Sequence, residues 1–328
     1  MRGLFGLPLK ETSVGRRGFR GVTAEMQTRL EQVGETFLDG YHAALQHDAL
    51  AARLNSTDPE LRGFAFEGAA MGLALLDTLT PWRSPRVRNF LGGDGNAHAY
   101  MVHVGVGWVW ARFPFGFRRF RRRLDPLLSW LAFDGWGFHE GFFHWPEYVA
   151  GKPPPRRLVG YERRAFDQGL GRSWWFVNGG NPELIARTID GLPAERRPDM
   201  WSGVGLAATY AGLASESVLG TLRDLAGPWW PQLAQGAAFA AKARQRAGNL
   251  TPYTDLATWV LCGLSAADAA RLCDTTLENL PASARRFGAA PPAGAPEPAY
   301  ELWRQRIQQH FQTSREPKAA QPLQQVYG

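Results

Sequence analysis

The stretch from Asp134 to Trp145, Asp-Gly-Trp-Gly-Phe-His-Glu-Gly-Phe-Phe-His-Trp, concentrates the side chains best suited to chemistry. Glu140 and His144 are four residues apart, so on a continuous helix they share one face. A carboxylate and an imidazole in that relation could transfer a proton or bind a metal. His139 is adjacent, and His103 lies upstream as a third imidazole. Carboxylate with imidazole suits iron or another first-row metal. The spacing is not the HExxH of zinc proteases, because the second histidine comes one residue late. The predicted metal ligands are therefore His144, Glu140 and His103. Glu140, His139, Asp167 and Arg172 are the candidate catalytic groups.

A second set of polar residues recurs along the chain. Glu67, His103, Asp134, Asp167 and Ser202 each follow an apolar or aromatic residue and precede glycines. If the segments bearing them stack, equivalent positions face one surface. Glu67, His103, Asp134, Asp167, His139 and Arg172 would then converge on a common pocket, with Gln168 and Trp201 also lining it. The competing role for each polar group is a buried hydrogen bond that ties neighbouring elements together. A third feature, the run Phe117-Arg118-Arg119-Phe120-Arg121-Arg122-Arg123, is basic with interleaved aromatics. It could meet RNA, a membrane surface or an acidic carrier protein, or simply be a solvated helix face. No nucleic-acid-binding motif accompanies it, and no nucleic acid partner is expected.

The elements positioning these residues follow from a repeat. Copies begin at Phe66, Val102, Phe133, Phe166, Trp201 and Leu233, a step of about 33 residues. Glycine costs a helix about 1 kcal/mol relative to alanine, so recurring glycine pairs point to close helix packing where a side chain would clash. Four copies contain GxG, but none has the complete GxGxxG of a dinucleotide site. The tetratricopeptide period is similar, without that repeat's signature residues. Helix starts between the copies are read at Pro182, Ser217 and Ser265, the last with Asp268 as a capping box. The predicted fold is all-α: about six helical hairpins forming a solenoid or a toroid-like single domain.

Around this repeat domain, residues 24–284, the sequence places an N-terminal segment at 1–23 and a Pro/Ala linker at 285–299. A short helix at 300–312 and a disordered tail at 313–328 follow. Residues 24–48 read as a capping helix, with Met26, Leu30, Val33, Phe37 and Tyr41 at helical steps. Of 37 basic residues only four are lysines, a bias typical of GC-rich coding rather than of phosphate recognition; the net charge is +7. Hydrophobic residues at 45% exclude wholesale disorder. Cys262 and Cys273 form neither a CxxC site nor a disulfide framework and read as buried thiols of a reducing compartment. No run approaches eighteen apolar residues and no signal-peptide core is visible, so the protein is expected to be cytoplasmic.

Six stretches resemble the enediyne-associated family called domain of unknown function 1702, the UnbL-like proteins. They are RGFAFEGAAMGLALLD (Arg62 to Asp77), HVGVGWVWAR (His103 to Arg112), LDPLLSWLAFDGWGFHEGFF (Leu124 to Phe143), GYERRAFDQGLGRSWWF (Gly160 to Phe176), WSGVGLAATYAG (Trp201 to Gly212) and LAQGAAFAAKAR (Leu233 to Arg244). The resemblance implies an accessory role beside a polyene-making polyketide synthase, in converting a linear conjugated polyene to the enediyne core. It also implies partners from the same gene clusters, including an RnfD-like membrane protein through which the chain would sit at the membrane periphery. The family supplies no established catalytic residues. Two readings stay open: an enzyme, metal-assisted or not, that oxidises or remodels the polyene, and a non-catalytic protein that binds it or scaffolds partner enzymes. The 13 tryptophans suit either, because aromatic walls favour a conjugated chain.

Overall fold

A computed structural model of the chain describes residues 6–46, 49–83, 85–280 and 297–313. The described residues contain helices and no strand. The expected linker and tail lie almost wholly outside them. Among the described residues no single helix is long and apolar enough to cross a membrane; Pro252–Cys262 and Ala266–Leu277 would qualify only as a pair bent by 65°.

Among the described residues nine helices organise the fold: α1 Ala24–Gln46, α2 Arg62–Leu79, α3 Ala99–Arg112, α4 Leu131–Phe143, α5 Tyr161–Val177, α6 Arg197–Ala211, α7 Trp230–Ala247, α8 Ala266–Leu277 and α9 Ala299–Thr313. From α1 to α8 each packs on the one before it and the one after it. Shorter helices connect them, and Pro182–Asp190, Glu216–Ala226 and Pro252–Cys262 pack on one another as an outer row. Local signals explain the starts of this row. Asn181 caps Leu184 ahead of Pro182, and Ser215 caps Val218, two residues before the start read at Ser217. Ser265 accepts the Asp268 N–H at 3.1 Å while its hydroxyl meets the Asp268 carboxylate, the capping box read from the sequence.

The glycine pairs set the spacing of the series. Residues i and i+2 point to nearly opposite sides of a helix, so each GxG strips both flanks at once. A Cβ on Gly105 would overlap the Glu67 carbonyl oxygen of α2, and one on Gly107 the Ala132 carbonyl oxygen of α4. Gly135 and Gly137 repeat this against α3 and α5, and Gly203 and Gly205 against α5 and α7.

The start of the series also touches its later part. Arg29 of α1 donates to the Ala211 carbonyl at the end of α6 at 2.9 Å, and Arg244 of α7 donates to Tyr210 O and Glu60 O. The α9 helix then covers α7 and α8. Its fully buried Arg304 reaches Asp199 of α6 at 2.7 Å, Glu301 at 2.9 Å and Gln235 of α7 at 3.1 Å. Cys262 and Cys273 are buried free thiols.

Candidate functional site

Aligned on the first glycine of each copy, the residues just before it are Glu67, Val104, Asp134, Gln168, Ser202 and Gln235. All six are buried. Four of them are joined in pairs: Gln168 donates to Asp134 Oδ2 at 2.7 Å, and Ser202 donates to Gln235 at 2.9 Å. Positions four and eight residues further lie over the same face one and two turns on. Those positions bear Trp108, Phe138, Arg172, Phe142 and Phe176, and with Glu67 they wall a cavity. Leu30, Val33 and Phe37 of α1 and Phe64 of α2 close it on other sides, and Leu7, Glu11 and Thr12 cover it. The empty space is about 690 Å³, part of it open to solvent, and its exposed lining is overwhelmingly apolar.

Two carboxyl groups line this space, Glu11 in its cover and Glu67 in its wall, and Glu67 is the buried one. Glu67 is 2% exposed, and Trp108 donates its indole N–H to Oε1 at 3.0 Å. The nearby Arg172 guanidinium is committed to Asp134, with which it forms a buried ion pair. Glu67 is in no ion pair among the described residues. Burial therefore dominates and pushes its carboxyl from 4.5 up to about 7, against the pull of Arg172 and the Trp108 hydrogen bond. A carboxyl that titrates near neutrality inside an aromatic cavity can both give and take a proton at physiological pH.

The structure sorts the predicted residues into groups. Glu67, Asp134, Gln168 and Arg172 come together at the cavity and its polar wall. His139 stands one residue off the lining stripe, behind the rim. Its Nε2 accepts from Arg112 Nε at 3.2 Å, so Nδ1 carries the proton and faces Glu140 Oε1 at 3.4 Å. Burial lowers its pKa and keeps the ring neutral. Phe138, four residues after Asp134, takes the lining position, and His139, five residues after it, falls one residue past the stripe.

Three expectations are corrected. Asp167 is turned 100° from Gln168 and receives a two-pronged hydrogen bond from Arg196, at 2.6 and 3.0 Å, away from the cavity. His103 is a structural tie: Nδ1 donates to Ala99 O at 2.6 Å, and Nε2 accepts the Asp125 N–H at 3.3 Å. Trp201 is buried in the wall and does not line the cavity. The metal set also fails to assemble. Helix α4 ends at Phe143, so His144 leaves the helical path (φ −124°, ψ 27°) and projects half-exposed toward Glu147. Glu140 meanwhile accepts from Tyr148 OH at 3.1 Å, and both nitrogens of His103 are engaged elsewhere. Among the described residues no three His, Cys, Asp or Glu side chains are placed to hold one ion. The donors present do not fit an iron or other first-row metal site.

The sequence reading missed Trp108, Phe138 and Arg112 as site residues. Trp108 and Phe138 were findable, since each lies four residues beyond the position preceding a first glycine. The cover by residues 7–12 was not, since nothing periodic marks it.

The family described as "Protein of unknown function (DUF1702)" matches residues 1–311. No curated protein and no solved structure matches the chain.

Proposed function

The chain is a member of the DUF1702 family, and we propose that it takes up an apolar conjugated chain in the aromatic cavity, with Glu67 as its proton donor and acceptor. The observation carrying this reading is the single near-neutral carboxyl, unpaired and enclosed by Phe37, Phe64, Trp108 and Phe138. Aromatic faces pack well against a flat conjugated ligand, and exclusion of water strengthens every polar contact the ligand makes. The chemistry such a group performs without any co-reactant is a shift of double bonds. The Glu67 carboxylate takes a proton from one ligand carbon and returns it at another, so no net oxidation occurs. In this reading the ligand is the linear polyene that the resemblance to enediyne-associated proteins implies, and the setting is an accessory step in core formation. The helical series is, in this reading, a solenoid of hairpins curved so that one stripe of each faces the ligand.

Two measurements test this. Parinaric acid, a conjugated tetraene, is expected to bind with energy transfer from Trp108 and to bind more weakly when Phe138→Ala enlarges the cavity. Infrared difference spectra are expected to show a protonated carboxyl band that titrates near pH 7 and is missing in Glu67→Gln. Tetraene binding indifferent to Phe138→Ala, or a Glu67→Gln spectrum identical to wild type, sinks the proposal.

A further inference from the structure

Large hydrophobic side chains exposed to solvent are few, and three of them share one corner. Trp82 is 78% exposed, Phe115 85% and Phe113 39%. Pro81, beside Trp82, lines the same depression as Phe113, Phe115, Arg119 and Arg123. From 113 to 124 the chain carries five arginines and no carboxylate. Arg118 is paired with Glu162, and Arg121 lies over the Trp130 ring at 3.6 Å. Arg119, Arg122 and Arg123 are exposed and in no ion pair among the described residues. Asp77, the one carboxylate lining the depression, is turned away to Arg86 and to the Arg86 and Val87 backbone N–H groups.

Protruding Trp and Phe side chains ringed by unpaired cations match the boundary of a bilayer, where aromatic rings sit at headgroup level and cations meet lipid phosphates. A water-facing surface gains nothing from such side chains, and exposed apolar clusters rimmed by charge mark interaction sites. The position of this corner adds a second argument. Phe113 also lines a groove with Leu7, Tyr41, Met71 and Arg112, and Leu7 and Arg112 in turn line the aromatic cavity. The depression, the groove and Glu67's cavity are therefore neighbours, sharing Phe113, Leu7 and Arg112 as walls.

We propose that the surface around Trp82, Phe113, Phe115, Arg119, Arg122 and Arg123 docks on an anionic lipid bilayer. Docking places the groove between Phe113 and Arg112 against the lipid, so that an apolar ligand passes from bilayer to cavity without crossing water; this last step alone rests on the function proposed above. Attachment is peripheral: the rings enter the headgroup layer and the arginines stay at the phosphates.

The test is co-sedimentation of the full chain with vesicles of phosphatidylglycerol and phosphatidylcholine, against phosphatidylcholine alone, with no polyene present. Binding to the anionic vesicles is expected, weakening as salt rises. The triple change Arg119→Gln, Arg122→Gln, Arg123→Gln should weaken it about a hundredfold, since each basic side chain near such a surface contributes about fivefold. Trp82→Ala with Phe115→Ala should weaken it further and abolish the blue shift of tryptophan emission on binding. These residues are exposed, so an unchanged thermal transition confirms that each variant is folded. Failure to bind anionic vesicles, or binding that ignores both sets of substitutions, overturns the proposal. So does capture of an acidic acyl carrier protein by this surface when vesicles are not bound. Because no polyene is used, vesicle binding can hold while tetraene binding fails, and the reverse.

Discussion

Replacing Glu67 with glutamine should change the pH dependence of stability in a direction the structure fixes. In the folded chain the carboxyl stays protonated up to about pH 7, whereas its ordinary value is 4.5. Between those values unfolding releases a proton, so rising pH favours the unfolded chain. The stability tied to this group is fully present below pH 4.5 and is lost as pH rises through about 7. At about 1.4 kcal/mol per pH unit of displacement, the loss is about 3 kcal/mol for a fully buried group. Glutamine keeps the shape and an oxygen for the Trp108 N–H, 3.0 Å away in the wild type, but never ionises. Urea unfolding of both proteins from pH 4 to 8.5 should therefore show the variant gaining about 3 kcal/mol on the wild type across that range. All other titrations cancel in the difference. Asp134→Asn should shrink the gain, because Asp134 holds Arg172 and also raises the Glu67 pKa by its own charge. A difference independent of pH would refute the assignment of Glu67 as an uncompensated buried carboxyl.

Other outcomes follow from packing and pairing. Gly137→Ala forces a Cβ into the Phe166 carbonyl and should cost about 1–3 kcal/mol, whereas Gly220→Ala, in open space within Glu216–Ala226, should stabilise by about 0.5–1 kcal/mol; paired thermal melts check the contrast. Arg304→Ala leaves buried Asp199 and Glu301 with Arg164 as their remaining counter-ion and should cost about 3 kcal/mol in urea unfolding. His144→Ala should stay within about 0.5 kcal/mol of wild type because the side chain is half in solvent. Glu140→Ala, which loses the Tyr148 hydrogen bond, should cost about 1 kcal/mol, and calorimetry should find tetraene binding unchanged in both.

The sequence by itself determined the helical class, the evenly spaced glycine pairs and the burial of the polar groups beside them. Those properties are local: glycine is tolerated inside a helix only where something else requires it, and periodicity states which residues share a face. Glu67, Asp134, Gln168 and Arg172 were legible on that basis. Tertiary structure decided what local spacing cannot express. A helix that stops at Phe143 sends His144 away from Glu140 although four residues separate them. A rotation of 100° between consecutive residues gives Gln168 to the polar wall and Asp167 to Arg196. Which cation pairs with which acid is a contest among side chains distant in sequence: Arg172 went to Asp134, and that choice left Glu67 without a counter-ion in an apolar cavity. Glu67 owes its raised pKa to that long-range assignment, because desolvation acts on a carboxyl only once the whole fold has closed around it.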